Sequence, residues 1–212
     1  MPFTTDTLDV LTEREARDAI GGMAAPSVKD DELSRVNTAV ARRLDRLVGP
    51  VVRRTVTAEL QRGGTRTVWL RQAPAYAISS ITEYDGATSQ TLSAETLGAA
   101  SPANGYLAER HASDPTYLSG RIVRRSSGNE DVFWPHVSIT YTAGRYADTA
   151  SVDERFKKAA SLMLANLWRA SSPSLVNVGE FDVPMVSFPT FVVPKAVLDL
   201  LADEVIEIPG IA

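Results

Sequence analysis

The hydrophobic pattern changes its period twice along this chain, and that change limits the fold more than any other feature. Between residues 33 and 48 apolar side chains recur every three or four positions, which is typical of one helix face. Gly49-Pro50 ends this pattern in the order expected just beyond a helix C-terminus. Residues 51–146 then form short runs rich in β-branched and aromatic residues, separated by turn formers. Helical spacing returns after Ser151, so a β region separates two long helices.

The helix and strand signals predict the order of elements. Helices are predicted over 8–20, 31–49 and 152–170, with a short terminal helix over 195–205. In the β region, strand-like runs flank Gly63-Gly64 and Asp85-Gly86, and Asp-Gly is a strong hairpin signal. Residues 137–142 alternate apolar and hydroxyl side chains, which predicts a half-buried strand.

These signals predict an α+β fold rather than an alternating α/β fold. We expect a small helical bundle, formed by the long amphipathic helix and the C-terminal helix, with an inserted antiparallel β-hairpin region over 51–146. Residues 1–170 then form one domain. Residues 171–212 form an extended C-terminal arm, because Pro173, Pro184 and Pro189 are incompatible with a helix or a central strand. An apolar arm of this kind either packs on its own domain or adds a strand to the sheet edge of a partner.

Motifs of catalysis are missing from the sequence. It contains no Gly-x-Ser-x-Gly elbow, no phosphate-binding glycine loop and no Cys. His111 and His136 have no recognisable spacing to a nucleophile, so we expect no catalytic residues, no bound metal and no cofactor. A small hydrolase that uses His111 or His136 is kept as an alternative. No apolar run approaches the roughly 18 residues that a membrane span requires, so we expect no membrane-spanning segment.

Charge is distributed unevenly along the chain. The 22 basic and 26 acidic residues give a net charge of −4, which argues against binding nucleic acid by bulk charge. Residues 35–71 nevertheless contain nine arginines and two acidic residues, while residues 180–212 contain six acidic residues and Lys195. Arginine suits bidentate pairing with carboxylates or phosphates. Contacts between oppositely charged protein surfaces are therefore favoured, and a nucleic-acid-binding module using the Arg35 to Arg71 block is the second alternative.

Several segments occur in the order typical of a known family. They are Leu11-Thr12-x-x-x-Ala16, the helix over 33–48, the strand over 74–86 ending in Tyr84-Asp85-Gly86, Trp134-Pro135, the strand over 137–146, and the final helix with Leu167-Trp168-Arg169. Over residues 8–170 the chain resembles the head–tail connector (adaptor, or head completion) proteins of long-tailed bacteriophages. It departs from them in having Val152-Asp153 where the family often has Pro, and in its long tail beyond Arg169.

The resemblance implies a non-enzymatic protein of the virion neck, present in the host cytoplasm before assembly. It implies a ring, commonly of twelve copies, that docks on the portal and joins the head to the tail. The next neck or tail-completion protein is a further partner, and genomic DNA passes through the ring without sequence-specific binding. A chain with a basic and an acidic block suits the head-to-tail contacts that close into rings.

Two residue sets are expected to make these contacts. The portal-docking arm comprises Val176, Val178, Phe181, Val183, Met185, Val186, Phe188, Phe191, Val192 and Val193, together with Leu198 and Leu201 of the terminal helix. Contacts between subunits or with the next ring are assigned to Arg42, Arg43, Arg46, Arg53, Arg54, Arg62 and Arg66.

Overall fold

A computed structural model describes residues 3–22, 29–96, 98–112, 114–171 and 193–204. The chain divides into two units, one formed by residues 1–52 and 148–212 and the other by residues 53–147. The first is called the helical unit and the second the β unit.

The helical unit contains four helices in its described residues. They are α1 (Glu13–Ala19), α2 (Asp30–Val48), α3 (Glu154–Ser171) and α4 (Lys195–Leu200). The apolar face of α2 packs against α3. The core between the two helices includes four fully buried side chains, those of Leu33, Leu44, Phe156 and Leu164. Burying these faces stabilises the two long helices more than their intrinsic propensity does. None of the described helices is long and apolar enough to cross a membrane.

Helix α1 is too short to be stable by itself, and polar contacts hold it in place. Thr12 and Glu15 form a complete capping box at its start. The Arg17 guanidinium bridges Glu13 at 2.7 Å and Asp30, in the first turn of α2, at 2.9 Å. Burial raises the pKa of Glu15, but hydrogen bonds from Lys157 of α3 and from Thr12 outweigh it and hold that pKa below its ordinary value.

The β unit is one sheet of eight described strands. They are β1 (Arg54–Arg62), β2 (Thr67–Trp69), β3 (Ala75–Asp85), β4 (Thr88–Ala94), β5 (Gly105–Arg110), β6 (Leu118–Ser126), β7 (Asn129–Glu130) and β8 (His136–Ala143). The order is β1-β8-β3-β4-β5-β6-β2, with β7 beside β6. One further pairing, Ala75 of β3 with Leu118 of β6, closes β3, β4, β5 and β6 into a four-stranded barrel.

The predicted helical bundle with an inserted β-hairpin region is wrong. The fold is β-rich, with an eight-stranded sheet and a closed barrel, and two of the four described helices have only six or seven residues. The runs on either side of Gly63-Gly64 do not pair with each other, since β1 pairs with β8 and β2 pairs with β6. Strands β4 and β5 are parallel, which a set of hairpins does not contain. Local periodicity identifies single strands, whereas these pairings join strands far apart in the chain.

Two local features of the β region are confirmed. Strands β3 and β4 form the hairpin signalled by Asp85-Gly86, with Asp85 opposite Thr88 and Gly86 at a φ of 58°. Along β8 every second side chain is buried, so Ile139 and Tyr141 face the core while the hydroxyl residues face outward.

A buried ion pair lies inside the β unit. Arg124 of β6 and Glu83 of β3 are 3.1 Å apart, and both side chains are almost completely buried. Glu83 also accepts hydrogen bonds from the Trp134 amide and the Gln90 side chain, at 3.2 and 3.1 Å. Hydrogen bonds to both oxygens offset the cost of burying the charge.

Candidate interaction surfaces

The arginines of α2 form a basic groove on the helical unit. Arg35, Arg42, Arg43 and Arg46 line it together with Ser34, Thr38 and Ala39, and its volume is about 620 Å³. Arg35, Arg42 and Arg46 lie seven and four residues apart, so they share one helix face.

Only Arg35 in this groove has an acidic partner within the described residues, Asp31 at 2.7 Å. Arg42 and Arg46 are exposed, and the buried Nε of Arg43 donates no hydrogen bond within that part of the chain. Like charges four residues apart slightly destabilise a helix. This row of cations therefore suits an anionic partner.

The other predicted arginines belong to the β unit. Arg53 stacks on the Tyr76 ring, with its guanidinium carbon 3.4 Å from the ring centre. Arg66 forms an exposed ion pair with Glu130 at 3.5 Å. Arg54 is the first residue of β1, and Arg62 is its last residue and is exposed. The predicted contact arginines are thus divided, three in the helical unit and four in the β unit.

The terminal helix α4 packs on α3 of its own chain. Val197 and Leu201 are fully buried, whereas Leu198 is 41% exposed. Beyond α4, the Arg155 guanidinium binds the Asp203 carboxylate at 2.9 Å and Glu204 at 2.7 Å. Hydrogen bonds from Arg155 hold the pKa of Asp203 below its ordinary value.

Most of the predicted portal-docking arm lies outside the described residues. This holds for Val176, Val178, Phe181, Val183, Met185, Val186, Phe188, Phe191 and Val192. Val193 is described and is partly buried just before α4. Docking on the portal, and the predicted domain boundary at residue 170, stay predictions.

The two histidines lie apart from each other on the β unit. His136 is exposed at the start of β8, opposite Arg62 on one side and Tyr84 on the other. His111 follows β5, and the nearby Asp114 has its pKa lowered mainly by the Thr116 amide and only slightly by His111. The described residues contain no group of three His, Asp or Glu side chains that could hold a metal ion.

Two apolar side chains of the β unit are exposed although no sequence pattern predicts it. Leu60 of β1 is 65% exposed and Trp69 of β2 is 60% exposed. Val68 and Leu70, on either side of Trp69, are buried. Because all three residues are apolar, the sequence shows no alternation of apolar and polar residues that would identify Trp69 as the exposed one.

Comparisons with known proteins agree with this β-rich architecture. No protein-family model matches the chain, and no curated protein is similar to it. A chain in the neck of an empty GTA particle, computed with C6 symmetry, is 18% identical, with a TM-score of 0.53 over 99% of this chain and 98% of that one. A chain in the neck of the native particle, computed with C12 symmetry, is also 18% identical, with a TM-score of 0.52 and the same coverage. The chain has their fold.

A third match extends the same observation. A chain of the virion of a native gene transfer agent (GTA) particle is 19% identical, with a TM-score of 0.51 over 95% of this chain and 92% of that one. At this level of identity the likeness concerns the fold. The resemblance to head–tail connector proteins that the sequence motifs indicated is confirmed at that level by the neck chains.

Proposed function

We propose that this chain is a structural protein of the neck of a phage-like virion. Copies form a ring that docks on the portal and joins the head to the tail. The observation that carries the proposal is the shared fold with chains of GTA necks over 99% of this chain. The order of the sequence motifs supports the same role independently.

A ring of copies is supported by the symmetry of those necks, computed with C6 and C12 symmetry. The charge distribution also supports it, since residues 53–147 carry ten basic and eight acidic side chains, and the rest of the chain carries twelve and eighteen. Surfaces of opposite charge on one chain favour head-to-tail contacts, which close into rings. We assign the α2 groove to a contact with an acidic surface of a neighbouring copy or of the next ring.

Docking on the portal is assigned to the apolar residues between Val176 and Val193. We leave Leu201 out of the docking set, because it is buried within its own chain. The neck role requires no catalysis, no cofactor and no membrane contact. DNA passes through the ring without sequence-specific binding.

Mass photometry of the purified protein, alone and with the portal of the same virus, tests the proposal. We expect particles of about 275 kDa, which is twelve copies of 22.9 kDa, on their own or bound to the portal. Replacing Phe181, Phe188 and Phe191 with Ser is expected to abolish portal binding. Replacing the exposed Val132 of the β unit with Ser is the control and leaves binding intact. A protein that stays monomeric and ignores the portal contradicts the proposal.

The α2 groove also favours the second candidate, a nucleic-acid-binding module, because its arginines suit phosphates as well as carboxylates. Such a module binds duplex DNA with an affinity that falls steeply with salt. We expect the purified protein to show no micromolar affinity for duplex DNA at physiological salt. Micromolar affinity that is lost in the Arg42→Ala, Arg46→Ala variant would favour the nucleic-acid-binding module instead.

A further inference from the structure

The β unit carries an exposed patch in which apolar and basic side chains alternate. Leu60 and Arg62 of β1, Trp69 of β2 and the following Arg71 are exposed, whereas their neighbours Glu59, Val68 and Leu70 are buried, so the four exposed side chains point outward. These four residues are called the apolar–basic patch. Tryptophan and arginine are the residue types that most often dominate the energy of protein interfaces.

Side-chain hydrogen bonds hold the two halves of this patch together. Strands β1 and β2 are the two edges of the sheet and are not paired with each other. Instead the Arg71 Nη2 donates to the Leu60 carbonyl at 3.3 Å, and the Gln61 Nε2 donates to the Trp69 carbonyl at 2.6 Å. The Arg71 amide donates to Glu59 at 3.2 Å. Because the edges are already joined, the patch is ordered before a partner arrives, which lowers the entropy cost of binding.

An open groove of about 890 Å³ begins at this patch. Leu60 and Arg62 line it together with Pro135 and His136. Neither Arg62 nor Arg71 forms an ion pair in the part of the chain that the structure describes. The patch therefore fits an apolar side chain flanked by carboxylates.

The chain itself presents such a surface on α4 and the turn that follows it. Leu198 is the one exposed large hydrophobic side chain among the described residues of the helical unit. Asp199 follows it and is exposed, and the Asp203 carboxylate is 68% exposed although it binds Arg155. Leu198, Asp199 and Asp203 are called the apolar–acidic patch. The two patches share no residue and have opposite charge.

We propose that the apolar–basic patch of one copy binds the apolar–acidic patch of the next copy. The inference rests on the ring of the proposed function and names the two surfaces that join its subunits. A contact between two different surfaces of identical chains leaves one of each free at the ends of every open oligomer, so it adds copies until a ring closes if the rotation between copies allows closure. Leu198 then contacts a neighbouring copy rather than the portal.

Site-specific cross-linking tests this contact, because the chain contains no Cys and each introduced thiol is the only one. Leu60→Cys protein and Leu198→Cys protein, carrying tags of different mass, are mixed and treated with a short bis-maleimide. Val132→Cys, at a position 45% exposed in the β unit, replaces Leu60→Cys in the matched control. Both mixtures are treated with and without the portal.

We expect roughly tenfold more mixed dimer from the Leu60 and Leu198 pair than from the control pair, since bound neighbours raise the effective concentration of the thiols. The double variant Leu60→Cys, Leu198→Cys is expected to give a ladder of multimers rather than dimers. A yield no higher than that of the control, both with and without the portal, overturns the inference.

The outcomes also separate this inference from the proposed function. Rings of wild-type protein together with a control-level yield mean that the neck role stands and other surfaces join the copies. A high yield of the mixed dimer without rings, even with the portal, means that the contact is correct and the ring is not.

Discussion

At the scale of single residues, the fold of the β unit depends on a charged pair in its interior. The Arg124 Nε lies 3.1 Å from the Glu83 Oε1, and both side chains are almost fully buried. Glu83→Ala leaves the Arg124 guanidinium buried without its counter-charge, so we expect the free energy of unfolding to fall by about 3–5 kcal/mol. Urea denaturation followed by tryptophan fluorescence measures this loss.

Glu130→Ala is the matched control, because it removes the exposed ion pair with Arg66. Exposed pairs contribute about 0–1 kcal/mol, so a small loss is expected. Equal losses for both variants would mean that the interior pair has no special weight.

A second residue-scale prediction concerns Asp9, whose carboxylate is buried beside Asn37 of α2. Burial raises the pKa of Asp9 above its ordinary value of 3.8. The folded state thus holds its proton to higher pH than the unfolded state, and stability from this group is lost as pH rises through the raised pKa.

We therefore expect the free energy of unfolding of the wild type, relative to that of Asp9→Asn, to decrease as pH rises from below 3.8. Denaturation curves of both proteins across that range measure the shift. A difference that does not change with pH would show that the carboxylate titrates alike in both states.

At the scale of elements, an arginine of α3 and two buried apolar residues hold α4 in place. Arg155 binds Asp203 and Glu204 just beyond the helix, and among the described residues Val197 and Leu201 anchor it by apolar burial. Arg155→Ala is expected to loosen α4 by about 1 kcal/mol, which is about fivefold faster amide exchange over residues 195–204. Arg14→Ala, which removes an exposed pair with Asp18 at 3.9 Å, is the control and leaves this exchange unchanged.

At the scale of the whole molecule, the uneven charge predicts that assembly depends on salt. Raising the ionic strength from 0.1 to 1 M shortens the screening length from about 10 Å to about 3 Å. We expect contacts between copies to weaken over this range and Arg62→Ala, which removes a charge of the apolar–basic patch, to reduce that dependence. Sedimentation velocity at several salt concentrations measures both. Assembly that is insensitive to salt would show that apolar burial alone joins the copies.

The sequence by itself determined the features that depend on neighbouring residues. The spacing of apolar side chains marks α2 and α3, Asp85-Gly86 marks the β3–β4 hairpin, and strict alternation marks the inner face of β8. Each of these signals arises within one helix face, one turn or one strand. The ordered motifs also carried the resemblance to a neck fold.

Only the tertiary structure decided how the strands combine. The pairings of β1 with β8 and of β3 with β6 join distant residues, and they turn predicted hairpins into one sheet with a closed barrel. The pairings of β1 with β8 and of β2 with β6 expose Leu60 and Trp69 and bury Val68 and Leu70, a choice that a run of apolar residues cannot encode locally. The physical reason is that burial and strand pairing depend on which surfaces meet in space, and no local pattern contains that information.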